Sequence, residues 1–151
     1  MYEWGGGTAL QLAWRPPGQG GYSYPPATNL STLPPDEIAP SLSGVGIASD
    51  NTSNTIAKAG DNVTLTFTAS ETIDTPVVTF RSGGVAVTDS SVLYRNTTGN
   101  TWTAVYTANA NDTDGNVSYS INFSDTAGNA GTAVNNGTGS VTKDTSSPTL
   151  S

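Results

Sequence analysis

The chain has no cysteine and no histidine. The first absence rules out disulfide staples and thiolate sites, and it fits any redox compartment. The second removes the commonest general base and the imidazole metal ligand. Positive charge is scarce too, with five Lys and Arg against twelve Asp and Glu for a net charge of −7. Arg15, Lys58, Arg81, Arg95 and Lys143 are scattered, so there is no basic stripe to neutralise phosphates and nucleic acid is excluded as a partner. The same imbalance disfavours an anionic membrane surface. No apolar run approaches the roughly 20 residues that span a bilayer, so no membrane insertion is expected. Met1-Tyr2-Glu3-Trp4 lacks the basic and then apolar pattern of an export leader. A secreted parent is therefore expected to carry its signal upstream.

These absences also bear on catalysis. Without histidine or cysteine the many serines have no candidate base. The carboxylate pairs Asp36/Glu37 and Asp112/Asp114 fall in turn-like stretches, where Asp is common for its own backbone bonds. Nothing converges on a catalytic set, and no enzyme is expected.

What is present is Thr, Ser, Asn and Gly, with only 34% hydrophobic and 11% charged residues. Thr favours strands, while Asn, Gly and Ser favour turns, which describes a β-protein with a polar, weakly charged surface. The clearest strand is Asn62–Ser70, where Val63, Leu65, Phe67 and Ala69 alternate with Thr64, Thr66 and Thr68. Leu42–Ala48 forms an earlier strand interrupted by Gly44 and Gly46. A polar excursion from Asp50 to Gly60 separates the two. Val77–Arg81 and Val85–Thr88 flank a hairpin turn at Ser82-Gly83-Gly84. A short strand follows around Val92–Tyr94, and Thr97–Asn100 turns into Thr101–Tyr106. Asp112–Asn116 then turns into Val117–Phe123. A last strand pair is expected near Thr132–Val134 and Ser140–Thr142, joined through Asn136-Gly137 as a type I′ turn. Trp102, Tyr106, Tyr119 and Phe123 all fall on inward registers and read as core, whereas Tyr94 is freer. Seven to eight strands with frequent turns and no helical period predict an all-β fold, an immunoglobulin-like antiparallel β-sandwich.

Residues 1–16 and 17–37 stand apart. Gly5-Gly6-Gly7 precedes a strand in which Leu10, Leu12 and Trp14 share a face, and the proline pairs 16–17, 25–26 and 34–35 mark a connector. At the far end Ser146–Ser151 echoes Ile38–Ser43. Asp36 and Asp144 stand at the same offset from Pro40 and Pro148, which are 108 residues apart. A start signal that recurs after one sandwich length is the mark of a tandem array. The expected organisation is a remnant of a preceding β domain at 1–16, a Pro/Gly-rich linker at 17–37, an immunoglobulin-like domain at 38–145 and the start of a next repeat at 146–151.

Three runs carry a resemblance: Ala59–Glu71, Asn100–Ala104, and Asp114–Val117 continuing into Phe123–Gly131 with its Ser-Asp-Thr-Ala-Gly-Asn-Ala-Gly element. With the closing Asp144…Pro148 junction, the stretch from Ile38 onward resembles the bacterial immunoglobulin-like repeats found in tandem in large surface proteins. That implies an extracellular, cell-surface stalk or adhesin-like module, with neighbouring repeats of the same chain as its partners. Tyr2–Arg15 resembles the closing hairpin of the protective-antigen-type β-sandwich domain. Many members of that family bind glycans, but through loops upstream of this segment, so no lectin activity is carried over.

Calcium is the one cofactor weighed. Asp112-Thr113-Asp114-Gly115-Asn116 is oxygen-rich, but with Gly115 at loop position 6 an EF-hand would place Ala110 and Ile121 at ligating positions, which excludes it. A looser site is expected to draw on Asp112, Asp114 and Asn116, or on Asp36, Asp125 and Asp144 at the module junctions. Lys58 and Lys143 are the lysines of any Lys–Asn crosslink, and both read as solvated surface residues. The rival function is a binding module that meets a glycan or protein ligand with exposed loops or a sheet edge.

Overall fold

The computed structural model describes residues 34–89 and 91–146. The expected remnant at 1–16, the linker up to residue 33 and the echo at 147–151 lie outside the described residues. Strand β1 (Leu42–Ser49) is followed by β2 (Ile56–Ala57), β3 (Asn62–Ala69), β4 (Val77–Ser82), β5 (Val85–Ala86) and β6 (Leu93–Thr98). Then come β7 (Thr101–Thr107), β8 (Gly115–Asn122) and β9 (Thr142–Lys143). One sheet has the order β1-β3-β7-β6 and the other β2-β9-β8-β4-β5. Setting aside the short strands β2 and β5, and keeping the equally short β9 beside β8, leaves seven. They lie first-second-fifth-fourth in one sheet and seventh-sixth-third in the other, the arrangement of an immunoglobulin-like sandwich.

The alternation in β3 works as expected: Val63, Leu65 and Phe67 are fully buried and the threonines between them are half-buried. Their cross-strand partners on β7 are Tyr106, Ala104 and Trp102. From the other sheet Val78, Phe80, Val117, Tyr119 and Ile121 complete the core. The Phe80 and Tyr106 rings pack across it with centroids 4.7 Å apart. In β1 the register slips between Ser43 and Gly46. Gly44, at φ 59°, makes the bulge that turns Val45 inward beside Ile47.

Three expectations are corrected. The polar excursion at 50–60 contains a strand, because Ile56 and Ala57 pair in parallel with Thr142 and Lys143. Strand β6 runs on to Thr98 across a second bulge, so Thr97 lies in the strand and the turn tightens to Gly99-Asn100. The C-terminal hairpin does not form. Gly137 lacks the positive φ that a type I′ turn requires, and Val134 bridges Ile121 while Thr138 bridges Gly46 in parallel. Residues 134–141 thus strap the open edge of β1 to the second sheet, through Ile47 N–H to the Thr138 carbonyl at 3.0 Å and Thr138 N–H to the Val45 carbonyl at 2.8 Å. Covering that edge removes a template for pairing with other chains.

Candidate functional site

Strand β8 runs along the sandwich for about 25 Å at a strand's rise per residue, with Asp114 just before its start and Asp125 a few residues past its end. The chain comes in beside Asp125. Pro40 is buried, the Ser41 N–H donates to the Ser70 hydroxyl, and Asn129 Nδ2 donates to the Asp36 carbonyl at 2.9 Å. The chain leaves beside Asp114, which accepts both the N–H and the hydroxyl of Thr145.

At the leading end the carboxylates of Asp36, Glu71 and Asp125 converge, each offering an oxygen within 4.8 Å of the others. Asp125 is 1% exposed, and the loop after β8 is wound around it. Its Oδ1 accepts the Ala127 and Asn129 N–H groups, and its Oδ2 accepts Asn129 Nδ2 at 2.8 Å. Burial pushes its pKa up, but these donors together hold it below the usual carboxylate range. Glu71, on the loop after β3, is shifted the other way by partial burial and then by the charges of Asp36 and Asp125. Convergent carboxylate oxygens are the ligand set of a hard divalent cation such as calcium, whose charge would relieve that repulsion. Asp36 and Asp125 are named by the sequence; Glu71 is not. The only sequence signal for Glu71 is its place at the close of the Ala59–Glu71 run.

The trailing end is differently built. Asp112 is buried, and its carboxylate accepts the N–H groups of Thr88 at 2.6 Å and Asn109 at 2.8 Å. Burial raises its pKa and these bonds more than reverse that. Asp114 is paired with Lys143 at 2.8 Å, and that bond, followed by those from Thr145, lowers its pKa. Asn116 is exposed on β8 opposite Thr142. Asp144 is exposed and accepts the Ser146 N–H at 2.8 Å. Asp36 does the same for Ile38 at 3.0 Å. The two echoed aspartates therefore make the same local turn, about one sandwich apart. The oxygens of Asp112 and Asp114 are engaged within the fold, and these four residues do not gather with Asp36 and Asp125.

Lys143 overturns the surface reading. Its side chain is 0% exposed, and Nζ donates to the Asp112 carbonyl at 2.7 Å as well as to Asp114. The strand pairing of β9 with both β2 and β8 draws the lysine inside, and the 112–114 loop supplies the partners a buried ammonium requires. Lys58 does lie at the surface, 65% exposed and paired with Asp61. Tyr94 is half-buried rather than free, its hydroxyl accepting the Val78 N–H at 2.8 Å.

No family model matches the chain. No curated protein matches it either. Among solved structures it is similar to the titin M4 domain in a trigonal crystal form, with 19% identity and a TM-score of 0.39 over 76% of this chain and 100% of that chain. The immunoglobulin-like assignment rests on the strand order, not on this likeness.

Proposed function

We propose that the chain contributes a structural spacer and presentation module to an extracellular tandem-repeat surface protein of the bacterial adhesin-like type. The observation that carries this reading is the placement of the two ends. The chain enters at Asp36–Pro40 and leaves at Asp144–Ser146 from opposite ends of the sandwich, anchored by side-chain bonds to Asn129 in the loop after β8 and to Asp114 just before it. A unit so arranged extends an array head to tail, with each module touching only its neighbours. The matching turns at Asp36 and Asp144 support the same reading. Force spectroscopy through cysteines introduced by Glu37→Cys and Ser146→Cys tests it. One all-or-none event releasing about 350 Å of chain is expected. Yielding in several small steps, or extension without a resolvable event, contradicts it.

A second reading concerns calcium, favoured by the converging Asp36, Glu71 and Asp125 carboxylates. A cation there fixes the incoming chain to the sandwich and stiffens the junction. Millimolar Ca²⁺ is then expected to raise the melting temperature, and Glu71→Gln to abolish the rise. An unchanged melting temperature eliminates calcium from the account while leaving the spacer reading intact.

A further inference from the structure

A groove of about 240 Å³ runs between β8 and the 135–140 part of the strap. Its polar lining comes from Asn116, Ser118, Asn135, Asn136 and Ser140, and Tyr119 contributes to the remainder. Among the described residues no charged side chain lines it, although the chain carries a net charge of −7. Tyr119 is 9% exposed, and its hydroxyl is buried with no hydrogen-bond partner among the described residues. A buried hydroxyl left unpaired costs about 1–3 kcal/mol, so it stands ready for a partner from outside the fold. The hydroxyl lies against the groove wall at Gly137, where an added Cβ would come within 2.7 Å of it. For a ligand to reach the hydroxyl, Gly137 must move aside. Val134 and Thr138 are fixed by backbone bonds, but Asn135, Asn136 and Gly137 make none among the described residues.

We propose that this groove binds a neutral pyranose ring. The Tyr119 hydroxyl pairs with one ring hydroxyl, and the Asn135 and Asn136 amides, each both donor and acceptor, take neighbouring ones. The absence of charge in the lining selects against acidic sugars and phosphates. The volume lies below that of drug-sized pockets and suits one ring rather than an extended chain. The proposal stands apart from the spacer reading, since an array module can carry such a groove or lack it.

The test uses the full chain with methyl glycosides and free reducing forms of glucose, galactose, mannose and N-acetylglucosamine, read by saturation-transfer NMR and calorimetry. At least one is expected to bind with Kd on the order of a millimolar, the range for a ligand of about a dozen heavy atoms. Binding of methyl glycosides identifies the terminal ring of a glycan as the ligand. Binding of reducing forms alone identifies a free sugar. Tyr119→Phe is expected to weaken binding roughly tenfold. It should leave the melting temperature unchanged or raised, because the lost hydroxyl has no partner in the fold. Asn136→Ala, an exposed position, should weaken binding without unfolding the chain. The proposal is overturned if no sugar in the panel binds, if Tyr119→Phe binds as the parent does, or if that variant melts lower.

Discussion

Lys143 offers the sharpest energetic test, because its two possible truncations have unequal consequences. The ammonium is fully enclosed, while the Asp114 side chain opposite it is 42% exposed. Asp114→Ala strands a buried cation whose one remaining partner among the described residues is the Asp112 carbonyl, 2.7 Å away. Removing one member of a buried pair costs roughly 3–5 kcal/mol, and the retained carbonyl places the expectation near the lower limit, about 3 kcal/mol. Lys143→Met leaves behind a carboxylate that water reaches and that still binds Thr145. It fills a similar volume with apolar atoms, so its cost is expected to be about 1 kcal/mol or less. The double variant lacks both members of the pair and should unfold within about 1 kcal/mol of the parent, giving a coupling of about 2–3 kcal/mol. Urea unfolding of the four proteins at neutral pH, with m unchanged across the set, measures the cycle. Equal costs for the two single changes, or an additive double variant, would refute the reasoning.

Other outcomes follow from the same geometry. Asp61 accepts Asn51 Nδ2 at 2.6 Å, then the Lys58 N–H and ammonium, and these bonds pull its pKa from 3.8 down to about 2. A folded pKa below the unfolded one means that its stabilisation is complete above about pH 4 and lost as pH falls through 2. The stability gap between the parent and Asp61→Asn should close over that window, as followed by acid titration of the unfolding curve. Burial, aided by the charge of Asp112, pushes the Tyr106 hydroxyl up to about 12. The raised value keeps the parent at full stability below pH 10, and about 2–3 kcal/mol is lost as pH rises towards 12. Tyr106→Phe should lack that alkaline loss and match or exceed the parent at pH 7, because the hydroxyl has no partner. Gly131→Ala would drive a methyl into the buried Phe123 ring and should lower stability by about 1–3 kcal/mol in thermal melts.

Legibility in the sequence followed how local each signal was. Period-two patterns in Asn62–Ser70 and Val117–Phe123 announce one dry and one wet face; β3 stands where its pattern puts it, and β8 starts two residues earlier, at Gly115, with Tyr119 inward as expected. Strand β2 has no such pattern. Two residues become a strand only because β9 lies alongside them. Asn136-Gly137 has the local chemistry of a hairpin turn, but packing overrides it: a Cβ at Gly137 would clash with the Val45 carbonyl, so the glycine serves close approach instead of a turn. Lys143 stands between Thr142 and Asp144 in a polar stretch, and its burial depends on a loop some thirty residues earlier. The leading-end cluster is similar. Asp36 and Asp125 are visible as junction acids, but only the folded chain brings Glu71 to both.

The central claim is that the module carries its chain from one end of the sandwich to the other. The absence of native cysteine allows Glu37→Cys and Ser146→Cys to take spin labels without further changes. Double electron–electron resonance between them should give one narrow distance of about 25 Å or more, set by the length of β8. A separation below about 20 Å, or a broad distribution, would contradict the account.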